Sequence, residues 1–345
     1  MWLTWRAATQ RALYGDGGFY LRERPDRHFR TSVHVSAVFA WAVLRLVERV
    51  DGSLGRPEVI DLVDVGSGDG LLPARVLAIA PPGLAERLRI TAVDLAPRPP
   101  GLDGRITWAD AVPDRVEGLI VANEWLDNIP VDVVEHTPSG PRLVLVDPET
   151  GAERLGPPPC PEDLAWLDRW WPLRGADTPR RGAHEPVRGA DRPPRGEGLV
   201  GRRAEIGRPR DEAWAAVIVR LARGTAIAVD YAHRAGDRPP LGSLTAYRDG
   251  SVTPAVPDGS CDITAHVALD ACAAAGELAG AVATTLTTQR EALRDLGVTG
   301  VRPPVELAAA DPVGYVRALG RAAEEAELID PAGLGGFGWL AQVKR

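Results

Sequence analysis

Val63-Asp64-Val65-Gly66-Ser67-Gly68-Asp69-Gly70 is an apolar run that breaks into closely spaced glycines. Val59, Ile60, Leu62, Val63 and Val65 are nearly continuous, the pattern of a strand buried on both faces of a parallel sheet. Glycine accepts positive φ and lets a ligand come close to the backbone, and Leu71 to Ala80 then reads as a helix. Strand, glycine turn and helix in this order predict a nucleotide-cofactor loop, although one such loop by itself also fits a purely structural turn.

Spacing chooses among nucleotides. A dinucleotide loop follows G-x-G-x-x-G and rests a pyrophosphate on the helix N-terminus. Here the third glycine comes one residue early and Asp69 sits inside the loop. A carboxylate there repels a pyrophosphate and suits a cation. The expected cofactor is therefore S-adenosylmethionine, whose sulfonium and ammonium are positive, with a nicotinamide dinucleotide as the more distant alternative. Arg89-Ile90-Thr91-Ala92-Val93-Asp94 reads as the next strand, ending about 25 residues past the loop in an acid placed to hold ribose hydroxyls. Ile106-Thr107-Trp108-Ala109-Asp110 ends in another acid, expected near the adenine amino group. Gly66, Ser67, Gly68, Asp69, Gly70, Asp94 and Asp110 are thus the expected cofactor-binding residues of the core.

From Val59 to Ala122 strands alternate with short helical stretches, which predicts an α/β fold with a Rossmann-like, mostly parallel sheet. The strand Gly118 to Ala122 runs into Asn123-Glu124-Trp125-Leu126-Asp127-Asn128-Ile129-Pro130, and the next buried strand, Thr225 to Tyr231, follows about a hundred residues later. The organisation expected is an N-terminal helical cap (1–58), a core (59–135 and 212–345), and a large insertion (136–211) between the fourth and fifth strands. An insertion at the carboxyl edge of such a sheet carries substrate recognition. Within it, 172–210 is rich in Pro, Gly and Arg, repeats Arg-Gly-Ala at 174, 181 and 188, and has few large apolar residues. Too little surface can be buried there to offset the ordering entropy, so a flexible loop is expected. Its basic composition also suits RNA or acidic partners. Trp166, Trp170 and Trp171 read as a packed face. In the cap, Thr31 or Ser32 is placed to start a helix whose apolar face is Val35, Val38, Phe39, Ala42, Val43, Leu46 and Val47.

Composition narrows the function further. The chain has 345 residues, 45% hydrophobic and 25% charged, and a net charge of −7, which argues against general nucleic-acid binding. Lys344 is the only lysine, a bias read first as genomic composition. Cys160, Cys261 and Cys272 lack paired spacing, so neither a metal site nor a disulfide framework is expected, and a reducing cytoplasm fits. No secretory signal is expected. The longest apolar run, 35–47, is broken by Arg45 and falls short of a bilayer, so no membrane insertion is expected. Oligomeric state is not specified by the sequence.

The acidic loop after Ala122 lies on the same sheet edge as the glycine loop and would face a methyl donor. Glu124 and Asp127, with Asn123, are the catalytic candidates, because two carboxylates can hold a guanidinium through charge-assisted hydrogen bonds. Equally, Asn123 and Asp127 can cap a helix beginning near Leu126. His266 reads either as a catalytic base or as a core histidine.

Taken together, these segments resemble the MidA-like S-adenosylmethionine-dependent methyltransferases, which include the mitochondrial complex I assembly factor that methylates a protein arginine. Gly17-Gly18-Phe19-Tyr20 and Phe29-Arg30-Thr31-Ser32 are similar to that family's GGYY and GDFxTS elements, and Gly66 to Gly70 to its cofactor loop. Ala122 to Val131 is similar to its ANExxDALPV, Ala226 to Ala232 to its strand ending DYG, and Leu244 to Tyr247 and Asp262 to Val267 to its LRAY and DxTAHV stretches. Departures are His28 for Asp, Asn128 for Ala, Ala232 for Gly, Ala268-Leu269 for DF, a cofactor loop without the usual proline, and the Arg/Pro/Gly expansion. The resemblance implies a class I methyltransferase fold, S-adenosylmethionine as cofactor, Thr31 and Ser32 closing over it, and a protein substrate with arginine nitrogen as acceptor. A non-catalytic cofactor-binding assembly factor and a small-molecule methyltransferase are the alternatives.

Overall fold

The computed structural model describes residues 1–22, 31–173 and 200–345. At its centre is a seven-stranded sheet with strands β1 (Ile60–Val65), β2 (Leu88–Val93), β3 (Ile106–Ala109), β4 (Val116–Asn123), β5 (Leu221–Asp230), β6 (Ala283–Thr288) and β7 (Gly338–Lys344) in the spatial order β3-β2-β1-β4-β5-β7-β6. β7 runs antiparallel to both neighbours and the other pairings are parallel. The direction of winding reverses between β1 and β4. In such sheets the crevice beyond the carboxyl ends at the reversal is where ligands bind.

β1 is buried along its whole length although it contains Asp61 and Asp64. Both acids are satisfied. Asp61 takes a bidentate pair from Arg89 at 2.6 and 3.0 Å and the Glu117 N–H at 2.8 Å, and Asp64 accepts the Ser67 hydroxyl at 2.6 Å. A buried carboxylate with charge-assisted partners is tolerated where an unpaired one is not.

Helix α1 (Ala37–Ser53) packs its Phe39, Val43 and Val47 face against one side of the sheet. The predicted cap is corrected here. Ser36, not Thr31 or Ser32, caps α1 by accepting the Val38 N–H at 2.9 Å, because the chain breaks to an extended conformation at Ser36 (φ −154°) after a short helical turn, Ser32–Val35. Thr31 and Ser32 are thereby released for contacts elsewhere.

Residues 124–220 connect β4 to β5. Strands Asp132–Thr137, Gly140–Val146, Glu153–Leu155 and Arg203–Ile206 join the N-terminal Leu3–Thr4 in a second, antiparallel sheet. Trp5, Ala8, Val133, Val144, Cys261 and Ile263 form its separate small core. The flexible segment expected at 172–210 is corrected at its C-terminal end, where 203–206 is a paired strand and helix α2 (Arg208–Arg220) begins; the part at 174–199 lies outside the described residues. Trp166 and Trp171 are buried, and the Trp166 indole donates to Asp211 at 2.6 Å.

On β7 a buried amide holds three neighbouring elements together. The Gln342 side chain accepts the Trp214 indole N–H at 2.7 Å and donates to the Ala273 carbonyl at 2.7 Å and the Thr284 hydroxyl at 2.9 Å. Gly276, on helix α3 (Leu269–Leu278), leaves the space that Gln342 Oε1 fills, and a Cβ there would collide with it. Gly276→Ala is therefore expected to lower stability by about 2 kcal/mol through overpacking and loss of this network. A melting temperature within a degree of the parent would contradict it.

Candidate active site

The loop after β1 is fixed from both sides. The Gly66 and Ser67 N–H groups donate to the Val93 carbonyl at 2.9 and 3.1 Å, continuing the β1–β2 ladder into the turn. Gly66 has φ 72°, and a Cβ there would lie 2.8 Å from Trp125 Cδ1, so both backbone and packing require glycine. Gly68 also has positive φ (58°), with open space where a side chain would stand. Its N–H and that of Ala96 donate to the two oxygens of Asp94, each at 2.8 Å. A carboxylate offers about four lone-pair sites, so each oxygen keeps capacity for a ligand hydroxyl.

A cleft of about 870 Å³ opens over this loop and the ends of β1, β2 and β4. Gly66, Ser67, Gly68, Asp69, Asp94, Asp110, Thr31, Asn123 and Glu124 all line it. Three expected site residues do not. Gly70 starts the helix Leu71–Ile79 in a left-handed conformation, and Ser32 and Asp127 are buried away from the cleft wall.

That loop forms a turn, and the alternative of a helix starting near Leu126 is excluded. Glu124 takes φ 52°, rare for a residue with a side chain. Its backbone N–H donates to the Val229 carbonyl at 2.7 Å, and Asp230 accepts the Leu126 and Asp127 N–H groups at 2.8 and 3.2 Å. The strained residue is thus held by the neighbouring strand. Glu124 Oε1 accepts the Asn123 side-chain amide at 2.9 Å and the Ser32 N–H at 3.0 Å. Asp127 instead accepts the Thr264 hydroxyl at 2.7 Å. The two-carboxylate clamp is corrected accordingly. Asp127 turns to Thr264 instead of the cleft, and of the two carboxylates only that of Glu124 lines it.

The sequence matches the family of S-adenosyl-L-methionine-dependent methyltransferases over residues 44–287. The chain belongs to this family. A crystal structure of a COG1565 superfamily member from Burkholderia thailandensis bound to S-adenosyl-homocysteine is similar over 99% of this chain and 88% of that one, with 28% identity and a TM-score of 0.76. A native structure of a COG1565 superfamily protein from the same organism gives 28% identity and a TM-score of 0.75 over 99% and 87% of the two chains. No curated protein matches the sequence. The protein is a methyltransferase that uses S-adenosylmethionine, on a methyltransferase fold with a central sheet.

The charge of the methyltransferase cleft suits a cationic cofactor. Among the described residues Asp64, Asp69, Asp94, Asp110 and Glu124 line it, while the lining arginines are engaged elsewhere: Arg98 with the Ile106 and Leu102 carbonyls, Arg22 with the Gly259 carbonyl and Arg220 with Asp114. Burial raises the Asp94 carboxyl. Burial would also raise Asp69, but hydrogen bonds from His34 and the Leu71 N–H outweigh it and hold that carboxyl below its usual range. His34 carries no signal of its role in the sequence. It bridges Thr31, at 2.6 Å, and Asp69, at 3.4 Å, tying the N-terminal segment to the glycine loop. Tyr14 and Tyr20, from the cap, line the cleft as well, with their rings 5.4 Å apart. A lone histidine between valines carries no signal for such a role.

Burial pushes Asp64, Glu124 and Asp262 up to about 7 and Asp211 to about 6. An acid whose folded pKa is raised binds more protons in the native state, so its contribution is present at low pH and is lost as pH rises from the unfolded value, near 4, through the folded one. Burial lowers His233 to about 3 and also lowers His266, which acts in the opposite direction below the ordinary histidine value. Four acids outweigh two histidines. The melting temperature is expected to be higher at about pH 5.5 than at about pH 8 by on the order of 5 °C, and a higher value at the alkaline pH would contradict this.

Proposed function

We propose that the methyl acceptor is a side-chain nitrogen of a protein, with an arginine guanidinium as the group held, and that the enzyme belongs with the MidA-like methyltransferases. The observation that carries this reading is Glu124, a carboxylate presented to the cleft from a strained backbone and oriented by Asn123 and Ser32. It stands at the end of β4, beside the β1 glycine loop at the reversal of the sheet. A single oriented carboxylate binds a guanidinium edge through charge-assisted hydrogen bonds.

Bound S-adenosylmethionine supplies a methyl group on a sulfonium whose sulfur leaves as a neutral thioether. The Gly66–Gly68 backbone is assigned to its methionine portion, Asp94 to the ribose hydroxyls and Asp110 to the adenine amino group; Asp69 adds the negative charge that a cation needs. Glu124 holds the acceptor nitrogen in line and takes the proton released when that nitrogen gains a carbon. Its value near 7 suits both duties, because burial keeps it poised and an incoming cation favours the charged form. Positioning supplies much of the barrier reduction in such a displacement.

Asp94→Ala is expected to weaken S-adenosylhomocysteine binding by about 10- to 100-fold, the loss of charge-assisted hydrogen bonds. Calorimetry showing less than a twofold change would remove Asp94 from the ribose site. The acceptor is tested by incubating the enzyme with methyl-labelled S-adenosylmethionine and a desalted lysate, then hydrolysing the proteins. Labelled methylarginine is the expected product. Label confined to small molecules, or to another amino acid, would overturn the assignment.

A further inference from the structure

The orientation of Glu124 depends on a residue that never reaches the cleft. Ser32 gives Glu124 one of its two oriented donors, its backbone N–H at 3.0 Å. A backbone donor is only as well placed as the segment that carries it, and Ser32 lies on a single short turn, Ser32–Val35, set off from α1 by the extended Ser36. Its hydroxyl supplies an anchor by donating to Gln289 Oε1 at 3.1 Å.

Gln289 has the properties of a fixed post. It is completely buried at the start of the helix Gln289–Asp295, which is held by a full capping box between Thr288 and Glu291. Its own N–H donates to the Phe337 carbonyl at 2.8 Å and its side-chain Nε2 to the Leu328 carbonyl at 3.0 Å. With Nε2 committed to a carbonyl, Oε1 must face Ser32, so the hydroxyl can only donate. Two hydrogen bonds, joined through the backbone of Ser32, therefore link Gln289, at the carboxyl end of the edge strand β6, to the Glu124 carboxylate.

We propose that Gln289 and Ser32 are positioning residues for methyl transfer: Gln289 clamps the Ser32 hydroxyl and thereby fixes the N–H that aims Glu124 at the acceptor. The inference rests on the role assigned above to Glu124. Neither residue lines the cofactor cleft, so loss of the clamp misplaces the carboxylate without removing a cofactor contact, and small misplacements of reacting groups carry large rate penalties.

The test uses the full-length enzyme with labelled S-adenosylmethionine as the varied substrate and a fixed amount of desalted lysate. Ser32→Ala removes the hydroxyl but keeps the N–H, and Gln289→Met removes the amide at nearly constant size. Each is expected to lower the maximal rate about tenfold while the KM for S-adenosylmethionine and calorimetric binding of S-adenosylhomocysteine stay within twofold. The double variant is expected to be no slower than either single one, because both break the same link. Ser32→Thr, which keeps a hydroxyl, restores the rate. A general loss of structure would instead lower cofactor affinity together with rate, and that result, in Ser32→Ala, overturns the proposal. So does an unchanged maximal rate in Ser32→Ala while Glu124→Gln is inactive. Full activity in Glu124→Gln would instead remove the reading of Glu124 on which the proposal rests.

Discussion

Glu124→Gln lowers methyl transfer by about 10²- to 10³-fold and leaves S-adenosylhomocysteine binding within about threefold, the expected outcome of removing one charged, oriented group from a buried site. Glutamine keeps the length and shape of the side chain and one carbonyl oxygen, so the Asn123 and Ser32 donors retain a partner. The backbone strain at φ 52° is unchanged, because the Val229 carbonyl and Asp230 hold the loop independently of this side chain. What disappears is the negative charge and the capacity to take a proton. The pH profile separates these losses from a change of shape. The ionised carboxylate is the active form, so kcat/KM of the parent enzyme rises with pH and levels off above about 7, the value to which burial brings Glu124. Residual activity of the glutamine variant is expected to lack that limb. Parent-level turnover in the variant, or the same limb in both enzymes, would exclude Glu124 from the chemistry.

Arg210→Met is expected to unfold the protein or to cost more than about 3 kcal/mol, the penalty for removing one partner from a buried charged cluster. Arg210 is 2% exposed, and its guanidinium donates to four carbonyls: Asp127 at 2.5 Å, Ile129 at 3.1 Å, Ala265 at 2.9 Å and His266 at 2.9 Å. It thus ties the acidic loop to the 264–266 segment. Its charge also favours the ionised forms of Asp127 and Asp230, whose carboxyls are otherwise raised by burial. Methionine fills part of the volume but leaves those carbonyls without donors in a dry interior. Arg210→Lys rescues little, because one ammonium cannot span four acceptors arranged for a planar fork. Denaturant titration of both variants measures the effect. A loss below about 1 kcal/mol in the methionine variant would show that the cluster is not what holds the loop.

The contacts of Arg210 are not encoded locally in the sequence. The residue sits at the end of an Arg/Pro/Gly-rich stretch whose composition argues for flexibility, and its partners lie about 55 to 83 residues away in two loops. No local pattern encodes that contact. The glycine loop was legible for the opposite reason: strand, turn and helix are contiguous, and positive φ at Gly66 and Gly68 is a local demand. Asp94 was legible as the end of the next parallel strand. Asp127 is misleading because it shares a short loop with Glu124, whereas the turn, with Glu124 in the left-handed region, leaves only Glu124 lining the cleft. Thr31 and Ser32 resemble caps because both precede the apolar helical face, whereas Ser36, next to its first turn, accepts the Val38 N–H.

The most direct test of the central claim is a crystal structure of the enzyme with S-adenosylhomocysteine and an arginine-containing peptide taken from a labelled protein. The homocysteine portion is expected on the Gly66–Gly68 backbone, with a guanidinium nitrogen within hydrogen-bonding distance of the Glu124 carboxylate, facing the sulfur. A guanidinium bound away from Glu124, with the cofactor correctly seated, would contradict the claim.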